Sequence, residues 1–337
     1  MNRIVGLRKK AVSAKKKIVL PEGEDKRIVE GASIVAKEGF ADVCVLGDRN
    51  RIEKTAKDGG FSLEGVELVD PKEHDKRDEI INAFFEKRKH KGITPEEAKD
   101  HLLNDFIFYG AMMTELGLAD GFVAGADHTT ANVARAAIQC LRIDREIGTV
   151  SSTFIMELED CPFGEEGLFA YGDCGVIPYP SARQLVGIAI ATSDTFGKIF
   201  DVKPRVAMLS YSTKGSAEGK GDSGSIALVH TALEKIRQKR PDLMIDGELQ
   251  LDAAIVPEVA AKKCPDSDVA GKANVLIFPN LDAGNISYKL TQRLGKARVV
   301  GPILQGLDKP CSDLSRGCTI DEVVDAVAVI AIRAQKN

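Results

Sequence analysis

Apolar runs of strand length alternate with segments of helical period almost from one end of the chain to the other. "KKIVLPEG" reads as a strand. "DKRIVEGASIVAKEGF" follows as a helix, with Ile28, Ala32, Ile34 and Val35 as its apolar positions. "ADVCVLG" returns to strand. The rhythm recurs in "GFVAGAD" before "ANVARAAIQCL", in "PRVAMLSYS" before "SIALVHTALEKIRQ", and in "ANVLIFPN" before "GNISYKLTQRL". These strand runs lack alternation, as expected of strands covered on both faces, and the helices between them imply parallel crossovers. The pattern predicts an α/β architecture.

The middle of the chain departs from this rhythm. "GTVSSTFIMELED" and "GLFAYGDCGV" are two strand-like runs joined by the turn-rich "CPFGEEG", which predicts a hairpin. A domain boundary therefore falls near residue 145. "GKARVVGPILQG" resembles one more buried strand, leading into a final helix, "VVDAVAVIAIRAQ", that should pack back on the first domain. The expected division is a first α/β domain over 1–145 plus 297–337 and a second over 146–296. No internal repeat, low-complexity segment or Pro/Gly-rich linker interrupts it.

At 337 residues, two domains are also what the length favours. Net charge is -4, from 46 Lys+Arg against 50 Asp+Glu, which argues against a general nucleic-acid binder. Seven cysteines, with no C-x-x-C, mostly sit in apolar runs; reduced thiols in a cytoplasmic protein are the expectation. Five histidines and these cysteines leave little material for a metal site, and none is expected. Lys9, Lys10, Lys15, Lys16 and Lys17 read as a solvated helix face. No segment approaches eighteen apolar residues, so no membrane span is expected.

Several constellations carry chemistry, each beside a plainer reading. "YSTKGSAEGKGDSGSIALVH" follows a strand and opens a helix, and combines Ser212, Thr213, Gly215 and Ser216 with Lys214 and Lys220. Backbone N–H groups in such a loop favour an anion; a surface loop has the same composition. It is not a Walker A loop, because Gly215 to Lys220 is one residue short and Gly221 stands where a Ser or Thr is required. In "GADHTTANVAR", Thr129 or Thr130 begins a helix that bears Arg135. His128 alone reads more readily as a hydrogen-bonded structural residue. "KRKHKG", with Arg88, is a basic helix end or an anion site. Asn285, Lys289 and Arg293 recur at i, i+4 and i+8 beside Tyr288, on the outside of a helix or along a cleft. In "DLSRGCTIDE", Thr319 to Glu322 fits a capping box. That leaves Ser315 and Arg316, a hydroxyl suited to an oxyanion and a fork of donors suited to phosphate.

These stretches together resemble the phosphate acetyltransferase (phosphotransacetylase) family, phosphate butyryltransferases included. The resemblance covers nearly the whole chain. It rests on "RKHKGIT", "ADGFVAGADHTTANVAR", "MLSYSTKGSAEG", "GELQLDAAIVPEVAAKK", "FPNLDAGNISYKLTQRL" and "DLSRGC". It implies two α/β domains with a cleft between them, like those of isocitrate and isopropylmalate dehydrogenases, a homodimer, and a C-terminal segment that returns to the first domain. Ser315 and Arg316 match the family's catalytic Ser-Arg pair. Arg88, Arg135 and Arg293 match arginines implicated in binding or catalysis. The family has an Asp seven residues after the serine, proposed as the base for coenzyme A; here Glu322 stands there and Asp321 precedes it.

The implied reaction is acetyl-CoA + phosphate ⇌ acetyl phosphate + CoA, by direct attack in a ternary complex, with coenzyme A as a substrate and no cofactor. Phosphate butyryl- or propionyltransfer is the nearest alternative, and a non-catalytic acyl-CoA-sensing domain another. A carboxylate base faces a difficulty: a thiol near ~8.5 and a carboxylate near ~4.3 differ by about four pKa units, roughly 6 kcal/mol against transfer.

Overall fold

The computed structural model describes residues 3–217 and 224–335, so Lys220 and Gly221 of the glycine-rich loop lie outside the described residues. In chain order the strands are β1 (Lys17–Leu20), β2 (Asp42–Leu46), β3 (Val66–Val69), β4 (Gly121–Ala124), β5 (Ser151–Glu157), β6 (Leu168–Gly172), β7 (Arg205–Leu209), β8 (Met244–Leu249), β9 (Val275–Ile277), β10 (Arg298–Gln305) and β11 (Cys311–Asp313). The chain divides into two compact units. Ile4–Ile143 and the chain from Leu307 onward form the first; Asp144–Gly306 form the second.

In the first unit the strand order is β3-β2-β1-β4-β11, and every pairing is parallel. The order runs one way from β1 to β3 and the other way from β1 to β11, so it reverses between β1 and β4. β4 is buried at every position, as its unbroken apolar run requires. The last helix, Ile320–Ala334, buries every residue from Val323 to Ile332 and packs on β4 and on the helix Lys26–Glu38. Each such Val or Ile contributes roughly 1.5–3 kcal/mol. Gly31 makes the helix contact possible, because a Cβ there would lie 2.9 Å from Val323 Cγ1.

In the second unit β10-β5-β6 are antiparallel and β6-β9-β7-β8 parallel. The β5–β6 hairpin is the one that the turn-rich stretch predicts. β10 differs from expectation. It pairs antiparallel with β5, so the return to the first unit begins at Leu307 and not at residue 297. The strand that feeds the final helix is instead the three-residue β11, too short to stand out as an apolar run. The expected helix face holds only for Lys9 and Lys10, on the helix Arg3–Ala11. Lys15, Lys16 and Lys17 lie beyond it, the last opening β1, and pair with Asp42, Asp120 and Glu67. Among the described residues no helix is long and apolar enough to cross a membrane.

Candidate active site

The loops that leave the carboxyl ends of β1, β4 and β11 meet in the first unit, at the point where the strand order reverses. Ligands of open α/β sheets bind at such switch points. Glu22, just past β1, is the hub: its side chain is 2% exposed. Its Oε2 accepts from the N–H groups of Gly125 (2.7 Å) and Ala126 (2.9 Å), and its Oε1 from Asp127 N–H at 2.9 Å, with His128 Nδ1 2.7 Å away. One buried carboxylate thereby shapes the whole turn after β4. Thr129 then caps the helix Thr130–Cys140, accepting from Asn132 N–H at 3.2 Å.

Arg27 ties this turn to the next one. Its guanidinium donates to Ala126 O (2.7 Å), Arg316 O (2.7 Å) and Cys318 O (3.1 Å), and Asp25 holds the same group at 2.6 Å. The Asp25 bonds raise the Arg27 pKa, so its charge is fixed. The backbones carrying His128 and Arg316 therefore share one cation.

Ser315, Arg316 and Gly317 are exposed in the turn after β11. Ser315 Oγ accepts from Gly317 N–H at 3.3 Å, which leaves its own O–H free to donate. Among the described residues the Arg316 guanidinium has no ion-pair partner. Thr319 and Glu322 do form the capping box. Thr319 N–H donates to Glu322 Oε2 at 2.7 Å, and Glu322 N–H donates to Thr319 Oγ1 at 3.2 Å. Capping occupies one carboxylate oxygen; among the described residues the other has no partner. The adjacent acid is disposed differently. Asp321 is 72% exposed and approaches Arg8 at 3.4 Å, whereas Glu322, with Arg27, Asp25 and Glu22, acts on the buried Cys318 thiol. Burial pushes that thiol up to about 11.

Asp313, at the end of β11, is a buried carboxyl whose two oxygens lack a hydrogen bond of good geometry among the described residues. Burial raises its pKa to about 7; Thr130 and the Leu314 N–H lie near enough to oppose that rise, and Glu22 adds to it. Gly125 is pressed against it at φ +112, where a Cβ would stand 2.1 Å from Asp313 Oδ1 and 2.6 Å from Leu314 O. Only glycine fits.

Arg88 and Arg135 lie in the first unit and both act on His101. Burial lowers the His101 pKa; Asp105 opposes this, and Arg135 and Arg88 add to it, so both arginines stand near one ring.

The second unit holds the other expected residues. The N–H groups from Thr213 to Ala217 all have internal acceptors: Ser216 Oγ, Glu248 O, Glu248 Oε1, Thr213 O and Ser212 Oγ, in order. Ser212 Oγ also donates to Glu248 at 2.6 Å, and His230 Nε2 lies 2.7 Å from its other oxygen. Burial works to raise the Glu248 pKa, but these bonds bring it below the usual range. The cradle expected for an external anion is filled by an internal carboxylate, and Lys214 pairs with Asp246. On the helix Leu281–Arg293, Asn285 donates to Cys174 O (3.1 Å) and Tyr288 stacks on Phe154 with centroids 4.2 Å apart. Lys289 lies 4.8 Å over the Tyr288 ring, and Arg293 is exposed.

A family model described as Phosphate acetyl/butaryl transferase matches residues 2–331. The chain belongs to this family. The phosphate acetyltransferase of Thermoanaerobacterium thermosaccharolyticum is 48% identical over 335 residues, 99% of this chain and 100% of that one. A phosphotransacetylase structure from Streptococcus pyogenes superposes with TM-score 0.90 at 40% identity, over 99% of this chain and 98% of that one. A 4-hydroxythreonine-4-phosphate dehydrogenase from Klebsiella pneumoniae, 12% identical, covers 96% of this chain and 100% of its own with TM-score 0.52, and shows the fold alone. In this phosphate acetyl/butaryl transferase, motif spacing points to Ser315 and Arg316 but not to Glu22 and Arg27, which hold the neighbouring turns. Glu22 had one signal, an acid directly between a strand and a helix in "VLPEGEDKR". Arg27 had none; Asp313 heads the "DLSRGC" stretch itself, but its burial cannot be read there.

Proposed function

We propose that the protein catalyses reversible acetyl transfer between coenzyme A and inorganic phosphate by direct attack within a ternary complex. What carries the reading is the exposed Ser315–Arg316 pair, with an uncommitted hydroxyl proton and guanidinium, one turn before a carboxylate that keeps an oxygen free. Towards acetyl-CoA, Glu322 takes the thiol proton and the sulfur bonds to the acetyl carbon. The bond from that carbon to the phosphate oxygen then breaks. Ser315 donates to the carbonyl oxygen as it gains charge, and Arg316 grips the phosphoryl oxygens with two parallel N–H groups. Arg88, Arg135 and Arg293, with Thr129 and Thr130, serve substrate anions in the same proposal.

A covalent acetyl-cysteine route is disfavoured at this site, because Cys318 is buried and held as the thiol. A homodimer in the cytoplasm belongs to the same reading, and sedimentation of the purified protein tests the dimer. The reaction itself is tested by mixing the protein with CoA and acetyl phosphate and following thioester absorbance. Labelled phosphate should enter acetyl phosphate only when CoA is present. No thioester would overturn the activity; CoA-independent exchange would overturn direct attack.

A further inference from the structure

The proposed reaction leaves one proton unplaced. Acetyl phosphate leaves as phosphate, and a fully deprotonated phosphate is a poor leaving group; it needs a proton as the carbon–oxygen bond breaks. In the reverse direction the attacking phosphate must lose that proton. Glu322 serves the thiol, so the phosphate side calls for a second acid–base group.

His128 has the required arrangement. Glu22 receives three backbone N–H donors, which can only donate, so its oxygens act as acceptors and the His128 Nδ1 proton points at Oε1. That fixes the tautomer and leaves Nε2 as the exchangeable position. Among the described residues Nε2 has no hydrogen-bond partner, and the ring is 40% exposed while Glu22 is 2% exposed. A buried carboxylate orienting a half-exposed imidazole is the working geometry of acid–base histidines: the anion offsets the charge the ring gains with a second proton. His230 beside the buried Glu248 in the second unit has the same pairing, so what singles out His128 is its place in the fold. Location agrees with chemistry, since Arg27 joins the backbone of the His128 turn to that of Arg316, the proposed phosphoryl grip.

We propose that His128, held by Glu22, is the acid–base catalyst on the phosphate side. Its Nε2 proton passes to the departing phosphate oxygen towards acetyl-CoA, and Nε2 takes the proton from the attacking phosphate in reverse. Glu22 is the positioning residue. The proposal rests on the acyl-transfer reading above. The charged groups placed around this pair are Glu22 itself, Arg27 with its partner Asp25 from the β1 side, and Asp313 from β11.

The test is the pH dependence of turnover in both directions, for the parent and His128→Asn, with CoA affinity and melting measured alongside. In the parent, the His128 limb should be lost on the alkaline side towards acetyl-CoA and on the acid side towards acetyl phosphate. His128→Asn should lower turnover by about 10²–10⁴-fold and erase both limbs. Its Michaelis constant for CoA should stay within about threefold, as a loss confined to chemistry requires. Parent limbs of the same sense in both directions would overturn the assignment without any variant. So would a His128→Asn protein with near-parent turnover or with the limbs intact. A parent that forms no thioester would overturn the acyl-transfer reading itself; an active parent with an active His128→Asn removes only His128.

Discussion

Asp313→Asn tests the buried, poorly partnered carboxyl at the end of β11. Its pKa is about 7 in the folded chain and about 3.9 when unfolded. A raised carboxyl pKa means that the folded state holds the proton more tightly. Stability from this group is therefore complete below about pH 4, and is lost as pH rises towards 7. Between pH 5 and pH 8 the parent should lose about 2.5 kcal/mol through Asp313 alone. Asparagine keeps the shape and cannot ionise, so it lacks that loss. It leaves an amide poorly bonded, a roughly constant penalty of about 1–3 kcal/mol. The variant should melt below the parent at pH 5 and close this gap, or reverse it, by pH 8. For a unit of this size the relative shift is roughly 5–10 °C. Melting curves of both proteins at pH 5, 6, 7 and 8 decide it. Titrating groups remote from Asp313 cancel in the difference. A variant-minus-parent melting difference that stays flat across this range would refute the reasoning.

Glu322→Gln keeps the cap, since glutamine also serves at that position; melting should shift by less than ~0.5 kcal/mol while turnover falls about 10²–10⁴-fold, and unchanged turnover would leave Glu322 only a cap. Asp321→Asn should keep turnover within about threefold, because its carboxylate is exposed and turned to Arg8. Gly125→Ala places a Cβ against Asp313 and the Leu314 backbone at a positive φ, and should cost about 2–5 kcal/mol with loss of thioester formation; a stable, active variant would show that the turn is not locked. Arg316→Lys keeps charge without the two-pronged grip, so turnover should drop steeply and Arg316→Gln lower it further, with melting unchanged; near-parent turnover in Arg316→Gln would remove Arg316 from the mechanism.

Local sequence pattern was enough for the α/β class, the β5–β6 hairpin and the cap at Thr319–Glu322. Each follows from local causes: unbroken apolar runs, a turn between two such runs, and the spacing of Thr and Glu. It also displayed Ser315 and Arg316, because those residues sit side by side in the chain. Tertiary structure decided the rest. β10 looks like any buried strand, and only pairing with β5 assigns it to the second unit. The Ser212–Ser216 turn has the composition of an anion cradle, but Glu248, more than thirty residues away, fills it. Glu22, His128 and Arg316 lie far apart in sequence, and parallel strand order brings their loops to one end of one sheet. A polar residue's chemistry depends on who shares its hydrogen bonds and how much water reaches it. In a parallel sheet those partners come from neighbouring strands, whose order along the chain does not give their order in space.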